Sequence, residues 1–191
     1  AYLRTPSAFA ATRSAQARTA AGLAGPTADL EDWLRRNPND ALSRRMLAEH
    51  LLASGQTDAA TAELKRVVEA RPEDPVALNN LAWLYGERGD PRAVDLAARA
   101  VALAPESGSV ADTYGWILVG AGQVEEGVVA LRRAAELSPR DGQVQYHLAA
   151  ALEKAGRPDE ALAVLRPLLA SGASFASRAE AQGLLAKLEG R

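Results

Sequence analysis

The chain has 191 residues and a mass of 20.1 kDa, room for one domain or one elongated array. Hydrophobic residues are 48%, charged residues 24% and the formal net charge is −2, which argues against disorder and against a general nucleic-acid binder with its basic excess. There is no cysteine, excluding disulfides, thiolate zinc sites and thiol catalysis, and no run approaches the ~18 apolar residues of a membrane span.

Ala and Leu dominate and aromatics are only 5%, a balance that favours closely packed helices over sheet. Ala1 is followed by no signal-peptide pattern, and the chain reads as a piece of a longer protein. Residues 1–6 are expected to be an arm or a helix remnant. Residues 7–20 fit a first helix, with Ser7 as its cap and Phe9 as its one large apolar residue. Residues 27–37 fit the matching second helix, with Leu30, Trp33 and Leu34 on its apolar face and Pro38 closing it. Together residues 1–37 make a degraded repeat.

Four helix pairs follow. Gly55, Gly89, Gly122 and Gly156 are spaced 34, 33 and 34, and Pro38, Pro72, Pro105 and Pro139 keep the same spacings. Each glycine separates two apolar helical runs. First helices are expected at 42–54, 76–88, 109–121 and 143–155, and second helices at 58–70, 91–103, 125–137 and 159–169. The repeats read as 38–74, 75–107, 108–141 and 142–171. Pro167 falls inside the last second helix and is expected to kink it rather than end it. Residues 172–191 carry a final amphipathic segment, Phe175 to Leu188, with Leu184, Leu185 and Leu188 as its stripe. It is expected to cap the open end, because the terminal unit of a stacked array needs a polar outer face.

Inside each unit the small and large positions recur. Position 7 reads Leu47, Leu81, Tyr114 and Leu148, and position 8 reads Ala48, Ala82, Gly115 and Ala149. Position 20 reads Ala60, Ala93, Gly127 and Ala161, and position 24 reads Leu64, Ala97, Leu131 and Leu165. Small residues at 8 and 20 let the two helices of a hairpin approach; the glycine supplies positive φ, and the proline stops the second helix. A period of about 34 with two helices per unit resembles the tetratricopeptide (TPR) repeat. The resemblance implies an all-α TPR solenoid, a right-handed superhelix of antiparallel helix pairs. Position 4 departs from the pattern: Arg44, Leu78, Ala111 and Gln145 stand where a large residue is usual.

A narrower resemblance runs through residues 79–188. Asn79-Asn80-Leu81-Ala82-Trp83, Gly89-Asp90-Pro91, Tyr114-Gly115-Trp116, Tyr146-His147-Leu148-Ala149 and the tail Arg178-Ala179-Glu180-Ala181 are similar to the C-terminal region of PrsT-like proteins. These are large TPR proteins of bacterial exosortase/PEP-CTERM systems, often encoded beside exopolysaccharide genes and described as lipoproteins. The resemblance implies a periplasmic or outer-membrane-associated setting; a cytoplasmic one stays open, since lack of cysteine fits both.

No phosphate loop, HExxH, GxSxG or paired metal ligands occur in the sequence, so no catalytic residue, cofactor or metal is assigned and an enzyme is not expected. His50 and His147 are read as helix-surface or groove histidines. In a TPR array the first helices line a concave groove. Its candidate partner-binding residues are Arg45, Glu49, Asn79, Asn80, Trp83, Asp112, Trp116, Tyr146 and Glu153. Trp83 and Trp116 share position 9 in adjacent repeats, and helices packed ~8–10 Å apart would bring the indoles into one strip. The alternative is that they seal the seam between first helices. Asn79 and Asn80 would meet a peptide backbone, while Arg45 and Asp112 would fix its register. The expected function is a scaffold for a protein or peptide partner, with no nucleic acid. Polysaccharide binding and self-assembly are the rivals.

Overall fold

The structure is a computed structural model and describes residues 27–190. The expected arm at 1–6 and helix at 7–20 lie outside the described residues. Ten helices and no strand are present among the described residues: α1 Ala28–Arg36, α2 Ala41–Ala53, α3 Thr57–Ala70, α4 Pro75–Gly86, α5 Arg92–Leu103, α6 Gly108–Gly120, α7 Val124–Leu137, α8 Gly142–Lys154, α9 Pro158–Ala170 and α10 Arg178–Glu189. The chain divides into two compact units, Ala1–Leu81 and Ala82–Arg191, with the division inside α4.

In the first unit α1 packs on α2, and α2 pairs with α3. Leu47, Ala48, Ala60 and Leu64 are buried where these helices meet. Leu30 is also buried, with Trp33 and Met46 against it. Asp40 links α1 to α2. Its carboxylate accepts from the Ser43 backbone N–H at 3.1 Å, capping α2, and from Trp33 Nε1 at 2.8 Å.

In the second unit α5, α6, α7, α8 and α9 pack in sequence. The tightest approach is α6 on α7. A Cβ on Gly115 would lie 2.7 Å from Leu131 Cγ and 3.0 Å from the Gly127 carbonyl oxygen. Two glycines thus do at positions 8 and 20 what alanines do in the other hairpins. Leu131, Leu152 and Leu165 form the fully buried centre, closed at the far end by Ala181 and Leu188 of α10.

Each hairpin turns on a glycine in the left-handed region: Gly55, Gly89, Gly122 and Gly156 have φ of 75°, 65°, 84° and 73°. First helices open on a side-chain cap that the sequence reading did not single out. Asp40, Asp74, Ser107 and Asp141 each accept from backbone N–H groups two or three residues on. These caps are spaced 34, 33 and 34, two residues after each repeat proline.

Pro167 lies within α9, which continues to Ala170. Both Pro167 and Ala163, whose carbonyl loses its donor, face solvent, where water can replace the missing bond. The terminal segment differs from expectation at its start. The helix begins at Arg178, and Phe175 belongs to the preceding loop. Its ring fills the space above Gly142, where a Cβ would come within 2.6 Å of Phe175 Cδ1.

Candidate functional site

Within the second unit, α4, α6 and α8 present aromatic residues to a common cavity of about 530 Å³. Trp83, Trp116 and Tyr146 wall it, and each is half-buried. Asp112, Gln143, His147, Ala176 and Ser177 complete the lining. The indole of Trp116 is not free on both faces. It stacks on the imidazole of His147, with centroids 4.3 Å apart and planes 15° apart. Tyr146 also lies against the same imidazole, 5.9 Å between centroids at 49°. Burial, and then the negative charge of Glu180, push the Tyr146 phenol above its ordinary pKa. It therefore stays a neutral hydroxyl at the cavity wall.

Of the two sequence readings of His147, helix surface or groove, the structure favours the groove: it lines the cavity and is 4% exposed. Its Nδ1 lies 2.9 Å from each carboxylate oxygen of Asp112, itself 9% exposed. Its Nε2 lies 2.8 Å from the amide nitrogen of Gln143. Gln143 in turn donates to Ser177 Oγ at 3.0 Å and accepts from the Ser177 backbone N–H at 3.2 Å. Asp112 thus sits at the cavity, but its carboxylate is engaged with the histidine rather than presented to solvent. A signal for this pair was in the sequence: Asp112 and His147 are 35 residues apart, one more than a repeat. Residues about one period apart meet across neighbouring first helices, as Lys154 Nζ does with the Val119 carbonyl at 3.3 Å.

The structure brings Trp83, Asp112, Trp116 and Tyr146 together. Glu153 stands apart from that cavity, its carboxylate 2.9 Å from Lys187 Nζ of the terminal helix. In the first unit, Arg45 is paired with Glu49 at 2.7 Å and with Asp74 at 3.4 Å. Asn79 and Asn80 are half-buried, and the Asn79 side-chain oxygen is buried without a hydrogen-bond partner among the described residues. Among the described residues no group of three or more His, Asp or Glu is placed to hold a metal ion. No helix among them is long and apolar enough to cross a membrane.

Comparison with known proteins bears on this arrangement. No curated protein matches the sequence. Among solved structures, MamA from Desulfovibrio magneticus is similar over 85% of this chain and 93% of its own, with TM-score 0.74 and 20% identity. TTC0263 from Thermus thermophilus, a thermophilic TPR protein, is similar over 94% and 99%, with TM-score 0.73 and 21% identity. YrrB, described as a TPR protein with an unusual peptide-binding site, is similar over 73% and 72%, with TM-score 0.62 and 22% identity. At these identities the likeness shows the fold. The tetratricopeptide repeat profile itself matches residues 27–84 and 118–188, more than half of the sequence, and with the all-helical hairpin architecture this makes the chain a member of the tetratricopeptide repeat family.

Proposed function

We propose that the chain is a non-enzymatic scaffold that holds an extended segment of a partner protein against the face walled by Trp83, Trp116 and Tyr146. The observation that carries this reading is the cavity itself. It is roomy, aromatic on three sides and floored by a side-chain network that holds one indole in place. Partly exposed Trp and Tyr are the residues that most often dominate binding energy. A ring already fixed by stacking loses little freedom when a partner covers it. The peptide-binding site of YrrB, on the same fold, supports the class of ligand.

The polar groups of the cavity favour peptide over polysaccharide. Asp112, His147, Gln143 and Ser177 already satisfy one another, leaving few side-chain groups to bond sugar hydroxyls. The large apolar residues exposed elsewhere, Leu42, Val76, Leu103 and Val129, do not cluster in sequence, and self-assembly has the weaker support. The resemblance to PrsT-like proteins supports a bacterial envelope setting, in an exopolysaccharide or protein-sorting assembly. Fractionation of the source cells tests that placement, and recovery of the protein only with the cytoplasm would exclude it.

The binding reading is tested by selecting peptides from a displayed library and titrating the best against wild type and Trp83→Ala. The variant should lose roughly 2–4 kcal/mol of binding, as a truncated aromatic hot spot does, and keep its melting curve. Trp83 is the cleaner choice because Trp116 also holds His147. Peptides that bind the variant as tightly as wild type, or selected peptides displaced by neutral oligosaccharide, would overturn the reading.

A further inference from the structure

The two indoles also wall a second cavity. It measures about 170 Å³ and lies at the ends of α4 and α6, closed by Pro91 and Val94. At ~30 Å³ per water its volume equals about five or six waters, enough for one side chain. We infer that this cavity is a receptor for a cationic side chain, a guanidinium or an ammonium, of a bound peptide. The inference rests on the scaffold reading for the ligand being a peptide, but it concerns a different cavity.

Four features set the sign of the charge. First, Trp83 and Trp116 supply indole rings, the aromatic surface that attracts cations most strongly. Second, α4 ends at Gly86 and α6 ends at Gly120, and both residues line the cavity. Two helix C-termini, each carrying partial negative charge, therefore border one small space, against the single N-terminus of α5, whose Ala93 and Val94 also line it. Third, the exposed carboxylate of Glu87 lies on its rim. Fourth, no Lys, Arg or His lines it. Arg88, next to Glu87 in sequence, is exposed and does not line the cavity, and neither does Arg92 or Lys154. Arg92 is held by the other rim carboxylate, Asp90, with Nη2 2.6 Å from Oδ2, and its guanidinium lies 4.4 Å over the Tyr85 ring. Lys154 donates to the Val119 carbonyl. The lining is thus acidic and aromatic, with Glu87 as the carboxylate that no ion pair engages among the described residues.

Gly120, which lines the cavity, has room for a side chain. A Cβ on Gly120 meets no atom within 4 Å, and Gly120 does not have positive φ. Gly120→Leu therefore places a side chain toward open space without straining the backbone. The probes are three capped tripeptides, Gly-X-Gly, with X arginine, citrulline (its neutral isostere) or leucine. Each is titrated into the protein while backbone amide and indole NMR resonances are followed. The arginine peptide should move the Gly86, Glu87, Gly120 and Ala121 amides saturably. The citrulline peptide should bind at least about tenfold more weakly, and added salt should weaken the arginine peptide alone. Glu87→Gln should cost the arginine peptide about threefold or more, and Gly120→Leu should abolish these shifts while leaving the spectrum of Tyr146 and Ser177 in place. Leucine binding as well as arginine, arginine shifts confined to the larger cavity, or no saturable shift with any peptide would each overturn the inference. Failure of selected peptides to depend on Trp83 would sink the scaffold reading. It would leave these small-cavity shifts as they are.

Discussion

Replacing Gly115 with Ala should destabilise the protein, although the same change inside most helices stabilises. A helical Gly→Ala substitution ordinarily gains about 1 kcal/mol in propensity. At Gly115 the new methyl would sit 2.7 Å from Leu131 Cγ, with the Gly127 carbonyl oxygen and Leu131 backbone nitrogen both at 3.0 Å. Ordinary carbon contacts lie near ~3.5–4.0 Å, so the Leu131 side chain would have to withdraw by close to an ångström. It cannot withdraw freely: Leu131 is 0% exposed at the centre of the core. Two of the three contacts are backbone, so the remaining relief is to part α6 from α7. Overpacking of this kind costs roughly 1–3 kcal/mol, and backbone involvement points to the upper end. Subtracting the propensity gain leaves a net loss of about 2 kcal/mol, or about 4–8 °C in midpoint for a chain of this size. Helical circular dichroism against urea and temperature measures it. Gly183→Ala is the matched control, since a Cβ there meets nothing within 4 Å, and it should stabilise by about 0.5–1 kcal/mol. If Gly115→Ala proved as stable as wild type, or if the two variants shifted in the same direction, the close-approach reasoning would be refuted.

Two further outcomes follow from side-chain contacts. Asp40→Ala should cost about 1–2 kcal/mol, because it removes the cap of α2 and the Trp33 indole partner together. Burial pushes the Asp40 carboxyl up, but hydrogen bonds from Trp33 and Ser43 outweigh it, and the net pKa is lowered. A carboxyl held lower in the folded state stabilises fully above its unfolded value near ~3.9 and loses that contribution as pH falls through the folded value. The gap between wild type and Asp40→Ala in urea melts should therefore narrow below about pH 4; a gap constant from neutral pH to the most acid point would count against the assignment. Asp112→Ala should cost about 1–3 kcal/mol by stripping a buried imidazole of its partner, and should alter Trp116 fluorescence through the stacked ring. Unchanged stability and emission would show that the pair does not hold the cavity floor.

The period carried most of the architecture. Glycine and proline at fixed spacing locate turns because few residues take positive φ or lack an N–H, so helix ends fell within a few residues of expectation. The aromatic strip was legible too, since Trp83 and Trp116 share one position of the unit. Side-chain partnerships across repeats were harder to read. Asp112 reads as a groove carboxylate in the sequence, yet both its oxygens are engaged by a histidine in the next hairpin. The spacing of 35, about one period, allowed the pairing, but which rotamers close it is not written in composition or spacing. Phe175 misled for a related reason: its apolar ring satisfies Gly142 from a loop, so hydrophobicity alone extended the last helix too far.

The contacts running from Asp112 to Ser177 also have a direction. Because the Ser177 backbone N–H points at the Gln143 side-chain oxygen, the amide nitrogen of Gln143 must face His147. In a neutral imidazole, Nε2 then accepts and Nδ1 carries the proton, toward Asp112. Each member has only one orientation that suits both neighbours. Turning the Gln143 amide over would set two donors face to face at Ser177, at the threshold of α10. The loop leading into α10 is therefore anchored through one amide to the imidazole that Trp116 covers, so the aromatic wall and the terminal helix share a support.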